Sequence, residues 1–446
     1  MNIVIGGAGD VGFHLARLLV SEDQNIILID NNEDVLEYAS THLDVSTVKG
    51  EITSIETLMN SDAQNADLFI AVTTYESSNL LACILAKKLG SKQTIARISN
   101  PEFFHKVQRK NFQEAGVDNL FSPRILATYE IRRLLQRVSA TDIFEFEDGK
   151  ISIIGFTADS ESNLVGKSLK QFTSEATDNH LRVIVLLRNN KTIIPRMELI
   201  IEPGDHIYLS TDLKDFEKVN KYVGKTLKKI KKVMIVGDGA LAKSTAKILE
   251  DDYNVTIVVS NKTHCKKCAE YLDDTLIIEG DGNNADLLIE AGLPSMDAFV
   301  ALTPNSETNI ISCLMAEKYK GLKTIALVDN SAYTHISQSI GVDTIINKKI
   351  LAANNIFRFV RQGQIEAIAS FHGVDAEIIE FTVHAKNSII GKTISAIGLP
   401  ADAIVAGVIR GEKGLIPTND FQFKLDDKVI VFLMPTSVKA VEDIFK

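Results

Sequence analysis

Cysteine is scarce in this chain: Cys83, Cys265, Cys268 and Cys313 are the only four in 446 residues. That is no disulfide framework, and it fits a reducing compartment. No run of about 18 apolar residues occurs, so no bilayer-spanning helix is expected. Met1 leads straight into an apolar strand pattern with no basic segment before it, so no secretory signal is expected. Positive charge is short as well. The 48 Lys and Arg are outnumbered by 58 Asp and Glu, giving a formal net charge of −10. This argues against a nucleic-acid binder that relies on bulk charge. No G-x-S-x-G, H-E-x-x-H or Walker pattern is present. His206 stands alone as a candidate acid or base, and a lone histidine more often packs than catalyses.

The sequence does contain a long internal repeat. Ile-Val-Ile-Gly-Gly-Ala-Gly-Asp-Val-Gly (3–12) returns as Met-Ile-Val-Gly-Asp-Gly-Ala-Leu-Ala (234–242). At the same offset Asp30 falls on Ser260, Gly50 on Gly280, Thr73 on Thr303, Asn79 on Asn309 and Asn100 on Asn330. A repeat of that length is a duplicated domain, not a solenoid unit. With 45% hydrophobic and 24% charged residues, an ordered globular protein is expected.

Residues 1–140 alternate short Val/Ile-rich runs (2–5, 26–29, 46–49, 68–72, 94–98) with helical patterns such as 9–21 and 77–89. Short buried runs separated by helices mean a parallel sheet covered on both faces. The expectation is a Rossmann-like, doubly wound α/β domain. Ser122-Pro123 opens a helix over 124–138 whose apolar positions Ile131, Leu134, Leu135 and Val138 share one face. That face packs either on its own sheet or on a partner subunit. Residues 141–220 read as a small α+β module, with strands at 151–157, 182–188 and 206–210. Seven lysines crowd residues 218–232. They form a solvated linker, or a surface for an acidic partner or lipid headgroups. Residues 233–370 repeat the Rossmann-like plan and 371–446 repeat the small module. The fold class is therefore α/β: two parallel-sheet domains, each followed by a small α+β module.

Gly7-Ala-Gly-Asp-Val-Gly12 fits G-x-G-x-x-G between a strand and a helix, the context that a dinucleotide fingerprint requires. Gly7 permits the tight turn, Gly9 lets a pyrophosphate approach, and Gly12 seats the helix on the strand. The phosphate would meet the helix N-terminus. Asp30, ending the second strand, suits a ribose diol and repels a 2′-phosphate, so NAD is favoured over NADP. Arg97 ends the fifth strand, where a guanidinium could fork onto a phosphate, with a surface ion pair as the alternative. Thr73 and Thr74 end the fourth strand and could line an adenosine pocket. Glu51, after the third, could reach the adenine side. The second copy departs from the first: Ala242 replaces the third glycine, Ser260 replaces the aspartate and Leu327 replaces the arginine. A weak, altered or empty second site is expected. Cys265-Lys-Lys-Cys268 is half a zinc pattern with no second pair, and reads as structural or incidental.

The chain resembles the TrkA family of Trk-type potassium-uptake proteins, built from tandem RCK (or KTN) domains. The resemblance rests on residues 7–12, Asp30, Ala-Val-Thr-Thr (71–74), Asn79-Leu-Leu-Ala-Cys (79–83), Ala-Arg-Ile (96–98) and the turns at Gly166-Lys-Ser and Gly391-Lys-Thr. It spans essentially the whole chain. It implies a cytoplasmic subunit, peripheral on the inner face of the membrane, that is not an enzyme. Its expected partner is a potassium-translocating membrane protein, and it would assemble as a homo-oligomer, dimer or tetramer. It would bind NAD(H) and ATP or ADP, and their binding would gate ion flux. By the same resemblance the first site comprises Gly7, Ala8, Gly9, Asp10, Val11, Asp30, Thr73, Thr74 and Arg97. The second comprises Gly237, Asp238, Gly239, Ala240, Leu241, Ser260 and Thr303. Glu51 stands where the family more often has aspartate. The rival readings are an NAD-dependent oxidoreductase and a DNA-binding redox sensor, which the acidic balance disfavours.

Overall fold

A computed structural model describes the chain except residues 21–23, 137–141, 148, 159–161, 176–179, 190, 213–229, 320–321, 330–332, 334–340, 361–364, 371–375 and 446. Most of the lysine-rich stretch, up to Lys229, falls outside the described residues.

The first repeat holds six parallel strands: β1 (Asn2–Gly6), β2 (Asn25–Asp30), β3 (Ser46–Lys49), β4 (Leu68–Ala71), β5 (Gln93–Arg97) and β6 (Asn119–Phe121). Their order is β3-β2-β1-β4-β5-β6, the dinucleotide-fold order with its reversal between β1 and β4. Ile3, Val4 and Ile5 of β1 are all buried, as the continuous apolar run requires of a strand covered on both faces. A small antiparallel sheet follows, with β7 (Asp142–Phe146), β8 (Ile151–Thr157), β9 (Leu181–Arg188), β10 (Lys191–Ile193) and β11 (His206–Thr211).

The second repeat reproduces both sheets. Its parallel strands are β12 (Lys232–Val236), β13 (Asn254–Val259), β14 (Leu276–Glu279), β15 (Ala298–Ala301), β16 (Lys323–Leu327) and β17 (Thr344–Ile346), in the order β14-β13-β12-β15-β16-β17. Its antiparallel strands are β18 (Ile365–Ser370), β19 (Glu377–Thr382), β20 (Ala403–Arg410), β21 (Lys413–Leu415) and β22 (Lys428–Leu433). Strand β18 pairs with β19, so the small sheet begins upstream of the 370/371 boundary read from sequence.

The helix Pro123–Gln136 turns its apolar face away from its own sheet, towards the other repeat of the same chain. Its buried Ala127, Ile131, Leu134 and Leu135 join the core of the second repeat, with Ala242, Ala246 and Leu249. The equivalent helix Lys348–Val360 returns the exchange: Ala352, Ala353, Ile356 and Phe357 join the core of the first repeat with Leu15, Ala16 and Leu19. Helices Asp10–Val20, Lys348–Val360, Pro123–Gln136 and Ala240–Leu249 thus lie side by side in that order. Alanines on the facing sides let the backbones approach. Burying each Leu or Ile contributes about 1.5–3 kcal/mol, so separating the repeats would expose a large apolar seam.

The small sheets also meet across the molecule. Phe146, Ile151, Ile153, Ile184 and Tyr208 pack on Ile378, Ala406, Ile430 and Phe432. Glycine is required at this contact: a Cβ on Gly414 would stand 1.9 Å from the Lys150 carbonyl oxygen. Arg182 reaches across to the Pro417 carbonyl at 2.9 Å. Each module is braced by a buried carboxylate with a bidentate arginine, Asp205 with Arg188 and Asp427 with Arg410, all four bonds at 2.7 Å. His206 is buried in this sheet, edge-on to Tyr208 and 3.2 Å from the Thr157 hydroxyl, a packing role.

Candidate functional site

The loop after β1 is shaped by its glycines. Gly7 has φ of +108°, a left-handed conformation, and a Cβ there would lie 3.0 Å from the Thr73 nitrogen. A Cβ at Gly12 would meet the Gly7 carbonyl oxygen at 1.8 Å, so the helix Asp10–Val20 sits tight on the turn. A Cβ at Gly9 would touch nothing within 4 Å. The chain is pressed against protein at Gly7 and Gly12 and open at Gly9, where a ligand backbone approach needs room.

Asp30 ends β2 with its carboxylate half-buried. One oxygen accepts from the Ala8 N–H at 2.8 Å and the other from Asn32 N–H at 2.9 Å. These bonds aim the carboxylate while leaving lone pairs free. Glu51 is exposed at the rim and accepts from the Asn31 amide at 2.9 Å.

At the ends of β4 and β5 a fully buried Asn79 uses its whole hydrogen-bonding capacity. Its Oδ1 accepts from the Thr73 N–H at 3.0 Å and hydroxyl at 2.7 Å. Its Nδ2 donates to the Thr73 and Arg97 carbonyls, each at 3.0 Å. Asn79 therefore fixes two strand ends at once. In the sequence it marked the repeat and the family resemblance, but was not read as a site residue. Arg97 points onward, half-buried, with Nη1 3.3 Å from the Val72 carbonyl. Burial holds its guanidinium below the usual range. No carboxylate pairs with it among the described residues, contrary to the ion-pair alternative. A half-buried cation without a counter-ion suits an anionic ligand.

The second repeat keeps the framework and rearranges the charges. Gly237 has φ of +140° and lies against Leu302 and Thr303. Asn309 repeats the clamp, binding Thr303 and the Leu327 carbonyl at 2.7–2.9 Å. The carboxylate lost at Ser260 reappears one loop away. Asp238, at the position of Ala8, accepts from the Ser260 hydroxyl at 2.6 Å and faces His264 Nδ1 at 2.8 Å. The Ser260 bond, with His264 beside it, holds the Asp238 carboxyl below its usual range, against the opposing effect of burial. The carboxylate is thus tied up within the protein. Cys268 is buried in the core of this repeat and Cys265 packs against it.

The strand ends of the two repeats face each other, and residues expected in each candidate site line one cavity of about 840 Å3. Gly7, Gly9, Asp10, Val11, Asp30, Glu51, Thr73, Thr74 and Arg97 line it from the first repeat. Gly239, Ala240, Leu241 and Thr303 line it from the second. Ala8 instead borders an adjoining cavity of about 620 Å3, while Gly237, Asp238 and Ser260 lie off both linings.

Three basic residues missed in the sequence complete the large cavity: Arg124, Lys348 and Lys349. They open the two exchanged helices. Lys349 of the second repeat pairs with Asp10 of the first at 2.6 Å, and Lys348 stands 3.9 Å from Asp329. Arg124 donates to the Ser99 carbonyl. The signal available was a cation at the second residue of each post-sheet helix, in Ser-Pro-Arg and Asn-Lys-Lys.

Two facing dinucleotide folds with exchanged helices, each trailed by a small antiparallel module, define a tandem RCK-type architecture. The chain matches the TrkA-N domain over residues 3–123 and 233–348, and the TrkA-C domain over 153–224 and 378–446. It is 32% identical over 455 residues to Trk system potassium uptake protein TrkA homolog 2 of Methanosarcina mazei, covering all of both chains. It is 31% identical to Trk system potassium uptake protein TrkA of Vibrio alginolyticus, covering all of this chain and 99% of that one. The chain belongs to the TrkA family. In fold it is also similar to the GsuK channel bound to NAD, with a TM-score of 0.60 at 16% identity, over 100% of this chain and 78% of that one.

Proposed function

We propose that this protein is a regulatory subunit of a potassium-uptake transporter, not an enzyme, and that it binds NAD(H), ATP or ADP between its Rossmann-like repeats. The observation that carries the reading is the shared cavity. Its walls belong to both repeats, so a ligand there bears on how the repeats pack as well as on one loop. A ligand shifts a conformational equilibrium only through different affinity for two arrangements, and a site spanning two domains supplies that difference. Coupling of about 1–3 kcal/mol per site, multiplied over an oligomer, is enough to move a gate. The ligand class follows from the loop open at Gly9, the aimed Asp30 carboxylate and Arg97, which pairs with no carboxylate among the described residues, here assigned to pyrophosphate, ribose and phosphate. The family supports a Trk-type membrane subunit as the partner, reached from the cytoplasmic face. No helix among the described residues is long and apolar enough to cross a membrane.

The test is potassium flux through a Trk-type transporter in proteoliposomes, with and without this protein, at varied NADH and ATP. Flux that changes with nucleotide only when the protein is present supports the proposal. Flux indifferent to the protein under every condition refutes it. Consumption of NADH with a metabolite would favour an oxidoreductase.

A further inference from the structure

The loop that opens the first site carries a charge that opposes its proposed ligand. Asp10 is the first residue of the helix whose N–H groups would receive a phosphate. Its side chain is 71% exposed and lines the cavity. A carboxylate there complements the helix dipole and repels an incoming anion. The counter-charge comes from the other repeat: Lys349 begins the helix that packs along Asp10–Val20, and its ammonium lies 2.6 Å from Asp10. The second site has no such pair. Ala240 replaces Asp10 there, and Arg124, the counterpart of Lys349, donates to a carbonyl of its own repeat.

We propose that Lys349 is a phosphate-binding residue of the first site, supplied in trans by the second repeat and held by Asp10 until an anion arrives. The inference rests on the nucleotide-binding reading above. An ion pair whose carboxylate stands in solvent is worth little, so exchanging Asp10 for a polyanionic phosphate is favourable. Lys349 stands on the helix whose Ala352, Ala353, Ile356 and Phe357 fill the core of the first repeat. Redirecting it therefore pulls on the seam between the repeats at its first turn. The number of ligand phosphates is read by a residue of one repeat and the site by residues of the other. Asp10 sets the threshold for that exchange.

The test is calorimetric titration of the full-length protein with AMP, ADP and ATP. Lys349→Gln should weaken ADP and ATP binding about tenfold, as expected for one charge-assisted bond, and AMP binding much less. Asp10→Asn removes the competitor and should tighten ADP and ATP binding severalfold. A structural ion pair alone predicts otherwise: both substitutions would lower the melting temperature together and leave the ADP-to-AMP affinity ratio unchanged. That result overturns the proposal while nucleotide binding stands. If the parent protein binds none of the three nucleotides nor NADH, and Asp30→Ala changes nothing, the nucleotide reading falls and this inference falls with it.

Discussion

Asp30 and Ser260 occupy equivalent places and do different work. Asp30 is held by two backbone N–H groups and faces the cavity, whereas Ser260 spends its hydroxyl on Asp238 away from it. Asp30→Ala should weaken NAD(H) or ADP binding by about 1.5–3 kcal/mol, the worth of charge-assisted bonds. Ser260→Ala should change binding far less, and calorimetry on the two variants compares them directly. Unchanged affinity for Asp30→Ala would remove Asp30 from the site.

His14 offers a second test at this scale. Burial, with the Arg17 charge beside it, lowers its pKa from 6.5 to about 4. Between those values the unfolded chain binds the proton and the folded chain does not. Stability is therefore present above pH 6.5 and is lost progressively as pH falls towards 4. Thermal melts of His14→Gln at pH 7.5 and pH 5 should show a smaller drop on acidification than the parent.

The exchanged helices set the behaviour of the elements. Leu134 is buried in the core of the second repeat although it is encoded in the first. Leu134→Asp should therefore reduce hydrogen-exchange protection in helix Ala240–Leu249 more than in helix Asp10–Val20. The opposite ranking would mean that the helix belongs to its own repeat in solution. Sequence periodicity showed that Ile131, Leu134 and Leu135 share an apolar face. A stripe of this kind says that something covers it, not what. The central strands of the parallel sheets, such as β1 and β4, were legible because both faces are buried and their apolar runs are continuous. Strands β6, β7 and β18 were not: β6 has three residues, and Asp142 and Glu145 or Glu366 interrupt the others. The glycine turn and Asp30 were legible as candidates because a fingerprint fixes their chain positions, and Arg97 because it ends a strand on the ligand side of the sheet. Lys349 was not, because its place depends on a helix crossing from the other repeat. Nor did the substitution at Ser260 reveal that Asp238 had supplied a carboxylate nearby, since the swap is visible only as a hydrogen bond.

At the scale of the molecule, two seams join the repeats: the helix row between the parallel sheets, and the small sheets packed face to face. Charges stitch the second seam, with Lys428 on Glu147 at 2.6 Å and Lys150 on Glu412 at 3.2 Å. The cavity lies along the first seam, so any change in it is felt by two domains held together elsewhere. The helix exchange also has a consequence during synthesis. Leu15, Ala16 and Leu19 emerge from the ribosome about 330 residues before the residues that cover them, 352–357. At about 5–20 residues per second, the first sheet waits some tens of seconds with an apolar helix face uncovered. Over that interval a nascent chain must avoid borrowing the missing helix from a neighbour on the same message, because an identical helix exchanged between two chains would close the same core and leave a tangled pair.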